Sequence, residues 1–195
     1  MSIYKRRQRE IEELRNTILA HTTQIIAQDG YTGFSIRRLA LSIDYSPRTI
    51  YLYFKDKEAI LLALVEEAYA QTLLHRESHL LSLNPIERVR IQLRNHFHNA
   101  LAHPEHYRVI VDILNRDGFI PGPRQLELES LVRQDVAFIK AWNPDNLLDV
   151  ALHALFATIR GLSMHLVSHR DVYDIKQLAS MIEIYVDWIT NWLSS

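Results

Sequence analysis

The chain has 195 residues, 48% hydrophobic and 23% charged, with a formal net charge of -1 and no cysteine. The lack of cysteine excludes disulfide frameworks, thiolate nucleophiles and thiolate metal sites, and it suits a reducing compartment. The N-terminus shows no long apolar run of a secretory signal, and no apolar segment reaches the ~20 residues of a membrane span, so a cytoplasmic protein with no membrane partner is expected.

Five glycines and six prolines serve as punctuation, strand-like alternation is absent, and helical periodicity runs nearly throughout. An all-α chain of about nine helices is therefore predicted. The first helix, 8–28, repeats Ile11, Leu14, Ile18 and Ile25 on one face. The second, 36–43, has Ser35 as its cap and turns Ile36, Leu39, Ala40 and Ile43 inward. After a turn at Asp44-Tyr45, Ser46-Pro47 opens a third helix, 47–53, with Ile50 and Phe54 on its inner face. Further helices are predicted over 57–80, 85–102, 104–116, 123–141, 144–168 and 174–193. Asn84-Pro85 and Asn143-Pro144 repeat the cap-then-proline start, and Gly30, Gly33 and Gly118 mark stops.

The near-zero net charge conceals a segregation. Residues 1–57 carry ten Lys+Arg against six Asp+Glu, and the remainder carries twelve against seventeen. A basic head on an acidic body points to a polyanionic partner for the head.

Two short helices joined by a tight turn, as in SIRRLALSIDYSPRTIYLYF (residues 35–54), form a helix-turn-helix, whose second helix enters the major groove of DNA. Pro47, Arg48, Tyr51 and Leu52 fall mostly opposite Ile50 and Phe54. Arg48 can reach base edges or phosphate. The hydroxyls of Thr49, Tyr51 and Tyr53 can bond phosphates, and Leu52 or Pro47 can meet a thymine methyl group. Lys57 and the first amides of the fourth helix are further candidates for phosphate. The run KRRQR, residues 5–9, reads as a disordered solubilising end in preference to an arm reaching an adjacent groove. Arg38 reads as a solvated charge.

The stretch LALSIDYSPRTIYLYFKDKEAILLAL resembles the DNA-binding signature of the TetR/AcrR family of bacterial transcriptional regulators. The matched positions are Leu39-Ala40, Ser46, Thr49-Ile50-Tyr51, Phe54-Lys55 and Lys57-Glu58. The match is confined to roughly the first 65 residues. Asp44 stands where the family often has glycine, and Asp tolerates a left-handed backbone better than most residues. Arg48 stands where the family often has a small residue, which suggests an altered operator preference. The resemblance implies an N-terminal three-helix DNA-binding domain, 1–56, and a C-terminal helical ligand-binding and dimerisation domain, 57–195. It implies DNA contacts by Ser35 and Arg37 from helix two, by Pro47, Arg48, Thr49, Tyr51, Leu52 and Tyr53 from helix three, and by Lys57 from helix four.

A small helix-turn-helix reads few base pairs, so a homodimer on a near-palindromic operator is expected. The resemblance places the dimer surface on helices eight and nine, with Leu152, Leu155, Ile159, Ile184, Trp188 and Trp192 as candidates; Ala151, Ala154, Ala157 and Gly161 permit close approach. The same stripe also suits intramolecular core. The resemblance further implies a cavity for a small-molecule effector. Candidate walls are Phe97, Leu101, Tyr107, Ile110 and Leu114, then Trp142, Phe156 and Met164. His153 and Arg160 interrupt an apolar helix on one side, and Arg160 can pair with an anionic ligand, with an acidic residue or with solvent. Ten histidines raise a metal reading, notably His75 and His79 at i, i+4 spacing, yet neither cysteine nor an HExxH motif accompanies them, and no metal or other cofactor is expected.

The function these features favour is a ligand-responsive transcriptional regulator, most simply a repressor released from its operator by an effector. A sequence-independent DNA-organising protein is the alternative, which the acidic body disfavours. An enzyme is not expected, because there is no nucleophile constellation, phosphate loop or paired-carboxylate motif.

Overall fold

The computed structural model describes residues 3–74, 83–140 and 147–195. Trp142, His75, His79 and the Asn143-Pro144 start lie outside the described residues. Nine helices are present among the described residues, with no strand: α1 (Ile3–Gly33), α2 (Ile36–Ser42), α3 (Pro47–Tyr51), α4 (Lys57–Leu74), α5 (Pro85–Ala102), α6 (Pro104–Leu114), α7 (Pro123–Lys140), α8 (Leu147–His169) and α9 (Ile175–Ser194).

Local chemistry sets the starts. Ser35 Oγ accepts from the Arg38 amide at 3.2 Å, Ser46 Oγ from the Thr49 amide at 3.2 Å, and Asn84 Oδ1 from the Glu87 amide at 3.0 Å. Each bond satisfies a donor that has no partner within its helix. Asp174 and Gln177 form a reciprocal capping box on α9. Asp44 sits at φ 56, so it takes the left-handed turn position expected of it.

The first helix corrects one expectation. It begins at Ile3 and therefore includes KRRQR, which is helical and exposed instead of a disordered end. Gly30, at φ 69 and ψ 178, breaks the helix before a final turn that ends at Gly33.

Two compact units are formed: Met1–Glu67 with Glu105–Gly122, and Ala68–Pro104 with Pro123–Ser195. The division differs from a linear split after residue 56. The first unit takes the opening turns of α4, where Ile60, Leu61, Leu64 and Val65 are buried, and most of α6, where Val109, Ile110, Val111 and Ile113 are buried. Its core also holds Ile18, Ile25, Phe34, Leu39, Ile50 and Phe54. In the second unit α5 packs against α7, α8 and α9. Val89, Leu93, Phe97, Val136, Leu152, Leu155, Leu166, Ile182, Val186 and Ile189 make one apolar cluster there.

Charged side chains tie the second unit's helices together at their margins. Asp135, on α7, is buried and accepts from Arg88 Nε at 3.1 Å and Nη2 at 2.6 Å. Arg94 forks onto Glu183, with bonds of 2.8, 3.0 and 2.7 Å, and Arg90 pairs with Asp187. By length and composition, Leu148–His169 is apolar enough to cross a membrane, which the sequence reading overlooked. Its Leu152, Leu155, Leu166 and Val167 are buried within the second unit, as in a core helix.

Candidate nucleic-acid interface

The helix-turn-helix is built from the inside outward. Leu39, Ala40, Ile43, Ile50 and Phe54 are buried, and Ile36 is half-buried. The Tyr45 amide donates to the Ala40 carbonyl at 2.9 Å, which closes the turn and fixes α3 against α2. With that face used for packing, the opposite one meets solvent. Leu52 is 79% exposed and Tyr51 54% exposed, large apolar surfaces that the unit's own core leaves uncovered. Pro47 and Arg48 are exposed, and Thr49 and Tyr53 are half-buried. Thr49 Oγ1 lies 3.0 Å from Ser46 Oγ, so its hydroxyl already has a local partner. Ser35 and Arg37 are exposed at the start of α2.

Leu41, Tyr45 and Lys55 also reach solvent beside this face and were not anticipated as contacts. Leu41 reads from sequence as another apolar residue of α2. Only its phase, two positions from the buried Leu39, separates it from the core.

Lys57 requires correction. Its Nζ donates to the Phe34 carbonyl at 2.7 Å and the Tyr31 carbonyl at 3.1 Å, and it lies 3.7 Å from the centre of the Tyr31 ring. It caps the carbonyl end of α1 and is not presented to phosphate. The α4 N-terminus is likewise occupied, since Asp56 Oδ1 accepts from the Ala59 amide at 2.7 Å. Burial, then the charge of Arg116, lowers the Lys57 pKa.

Arg116 completes this cluster from the segment after α6. Its guanidinium lies 3.6 Å from the Tyr31 ring centre on the first unit's inner framework. It donates to Glu58 at 3.1 Å and to the Tyr31 hydroxyl at 2.8 Å, and that hydroxyl donates to Glu58 at 3.0 Å. The Arg116 hydrogen bond is the main cause of a lowered Glu58 pKa, while burial raises that of Tyr31. Arg38 is no solvated charge either, for it pairs with Asp29 and donates to the Gly33 carbonyl at 3.3 Å. Nothing in the sequence links Tyr31, Glu58 and Arg116, which are far apart in the chain.

The expected dimer residues divide. Ile184 is 62% and Trp188 57% exposed, both on α9. Leu152 and Leu155 are instead buried in the second unit's apolar cluster, with Ile159 and Trp192 packed against it, so these four belong to the intramolecular core. The outward face of α8 carries Val150, Ala154, Ala157 and Gly161. A helix apolar on every side gives no phase from which to tell these faces apart.

The expected ligand residues also divide. Tyr107, Ile110 and Leu114 lie on α6 in the first unit, whereas Phe97, Leu101, Phe156, Arg160 and Met164 lie in the second. His153 does not join them. It is exposed, and its Nδ1 lies 2.7 Å from the Asp149 carbonyl of its own helix. Arg160 is half-buried and has no ion-pair partner among the described residues. One polar pair sits within the second unit and was not anticipated: His96 Nε2 lies 3.0 Å from Ser163 Oγ. Ser163 gives its proton to the Ile159 carbonyl at 2.8 Å, so His96 Nε2 carries the hydrogen in their bond. Burial pushes the His96 pKa down to about 4.

Comparison with known proteins agrees with this geometry. Residues 18–64 match the family model described as bacterial regulatory proteins, tetR family. The HTH-type transcriptional repressor AcnR of Corynebacterium diphtheriae is 26% identical over 187 residues, covering 95% of this chain and 84% of that protein. The fatty acid metabolism regulator protein of Bacillus subtilis is 37% identical over a 54-residue stretch, 28% of each protein. Among solved structures, the fatty acid degradation regulator FadR of Bacillus halodurans shares the fold with a TM-score of 0.71 at 19% identity, over 90% of this chain and 94% of that one. Bacillus subtilis FadR, solved in complex with stearoyl-CoA, gives a TM-score of 0.66 at 20% identity over 87% and 96%. With a matched DNA-binding signature and an outward-facing third helix, residues 18–64 are a DNA-binding segment of the tetR family of bacterial regulatory proteins, and the chain shares the all-helical fold of the regulators compared above.

Proposed function

We propose that the protein is a cytoplasmic repressor that binds a near-palindromic operator as a homodimer and leaves it when a small-molecule effector binds. The observation that carries this reading is the α3 surface, where Arg48, Tyr51 and Leu52 stand exposed on a helix whose other face is fixed by Ile50 and Phe54. Arg48 supplies a fork for a guanine edge, and Tyr51 and Tyr53 supply hydroxyls for phosphates. Ser35, Arg37, Pro47, Thr49 and Leu52 complete the contact set.

Ile184 and Trp188 on α9, with the small outward residues of α8, support a dimer formed by these two helices from each copy. The effector reading rests on the second unit, where Phe97, Leu101, Phe156 and Met164 supply apolar walls and Arg160 a cation for an anionic group. Release requires only that the effector bind the non-DNA state more tightly than the DNA-bound state. Because Bacillus subtilis FadR was solved with stearoyl-CoA, acyl-CoA thioesters are the first class to screen.

The test is selection of bound sequences from a random duplex pool at near-physiological salt. A near-palindromic motif is expected, with Arg48→Ala weakening its binding while the thermal melt stays unchanged. Binding without any recovered motif, lost as salt rises, would favour the sequence-independent DNA organiser instead.

A further inference from the structure

The end of α8 carries two histidines that neither the DNA-binding face nor the effector reading uses. His165 and His169 stand one turn apart, and their rings lie against each other with centres 4.3 Å apart and planes inclined by 28°. His165 is exposed and His169 half-buried. Both belong to the second unit, and neither is part of its apolar cluster.

The His169 ring is held in one orientation. Its Nδ1 lies 2.9 Å from the His165 carbonyl, and a carbonyl only accepts, so Nδ1 carries the hydrogen. The lone pair of the neutral ring is therefore on Nε2, at the edge away from that bond. The Tyr173 ring packs nearby, its centre 6.3 Å from that of His169. A backbone carbonyl that fixes one ring nitrogen and leaves the other as acceptor is the usual preparation of an imidazole for a metal ion. His165 makes no side-chain hydrogen bond among the described residues, so its ring can turn. Charge also suits a cation here. The last carbonyls of α8 are the negative end of the helix macrodipole, and the following Arg170 pairs with Asp171 at 3.6 Å.

Ring spacing selects the ion. Nitrogen–metal bonds of about 2.0–2.1 Å at a right angle place two imidazole centres about 4.5 Å apart, and a tetrahedral angle places them about 5 Å apart. The observed 4.3 Å matches the right angle. Tetragonal nitrogen and oxygen ligands suit Cu(II) and Ni(II), whereas Zn(II) favours the tetrahedron. The two planes must open from 28° to meet at one ion, and the broad χ2 torsion of the His165 ring allows this.

From this geometry we propose that His165 and His169 chelate one Ni(II) or Cu(II) ion, through His169 Nε2 and a ring nitrogen of His165, with water in the remaining positions. The ion cross-links the last turns of α8 and so stabilises the folded state as its concentration rises. The site does not depend on the DNA-binding reading, and its test needs no operator.

The test titrates NiCl2 into the full-length protein by calorimetry. The background carries His75→Gln and His79→Gln, because that pair has the same i, i+4 spacing. One Ni(II) per chain is expected, with a raised melting temperature. Two linked ligands bind more tightly than either alone by about 10²–10⁴, so His165→Gln and His169→Gln should each weaken binding on the order of 100-fold. Neither substitution should move the metal-free melt. Zn(II) should bind more weakly than Ni(II), and Mg(II), which takes oxygen ligands, should not bind. Electron paramagnetic resonance of the Cu(II) form should show two nitrogen ligands.

Absence of binding overturns the proposal, and so does binding that survives either substitution, which places the ion elsewhere. One ion per two chains means ligands from a second copy and overturns the single-chain chelate. Zn(II) binding tighter than Ni(II) at the same residues overturns the choice of ion.

Discussion

Acidification should destabilise the second unit by way of His96. Its ring donates to Ser163 Oγ, and burial lowers its pKa to about 4, against about 6.5 in an unfolded chain. The folded state therefore binds fewer protons than the unfolded state between those two values. Stability from this group is fully present above pH 6.5 and is lost as pH falls from there to about 4, below which the loss levels off. At about 1.4 kcal/mol per pH unit, the total reaches about 3 kcal/mol, of which about 2 kcal/mol has gone by pH 5. The assay is urea unfolding at steps from pH 7.5 to 4.5, for the parent and for His96→Gln. Gln retains an N–H for Ser163 and cannot titrate, so the difference between the two curves isolates the ring. A proton NMR titration of the parent gives a second reading, with the His96 ring remaining neutral at pH 5. Equal pH slopes for parent and variant, or a ring that titrates near 6.5, would refute the reasoning.

Three further outcomes are expected. Asp135→Ala leaves the Arg88 cation buried without its carboxylate and should cost about 3–5 kcal/mol in urea unfolding; a loss below about 1 kcal/mol would show that water or another acid replaces the carboxylate. Trp188→Arg places a charge on the exposed α9 face and should halve the mass measured by light scattering with the fold intact, whereas an unchanged dimer moves the interface elsewhere. Lys57→Ala removes two charge-assisted bonds worth about 1.5–3 kcal/mol each and should lower the melt, with operator affinity per folded dimer unchanged; a selective affinity loss would return Lys57 to the DNA.

Helix existence was legible wherever a cap or a single-sided apolar stripe announced it. Ser35, Ser46 and Asn84 bond the amides that their positions predicted, and Asp44 takes the left-handed turn. The outward face of α3 followed from Ile50 and Phe54 pointing in. Legibility failed where one signal served two structures. A basic run describes a solvated end and an exposed helical turn equally well, so the start of α1 was missed. In α8 leucines and alanines alternate around the axis, and only the packing of α5 and α9 decides that Leu152 and Leu155 go inward while Ala154 and Ala157 stay out. Contacts such as Tyr31 with Arg116 leave no local mark at all.

The cations of the first unit show the same limit in a form that bears on function. By composition Arg15, Arg37, Arg38, Arg48, Lys55 and Lys57 are equivalent positive charges near one motif. The structure sorts them by what else they touch. Arg15 lies on Phe54, Arg38 pairs with Asp29, and Lys57 holds the Tyr31 and Phe34 carbonyls. Those three anchor the helix-turn-helix, and drawing them to a phosphate would break the contacts that position α3. Arg37 and Arg48 have no such engagement among the described residues, and Lys55, 83% exposed at its side chain, has only Asp56 at 3.9 Å. A rigid recognition surface needs both kinds, because a long side chain reads a groove only if its backbone is held still. The basic excess of the head is thus partly scaffold, and Arg37 and Arg48, the cations without such engagement, stand on the first turn of α2 and on α3.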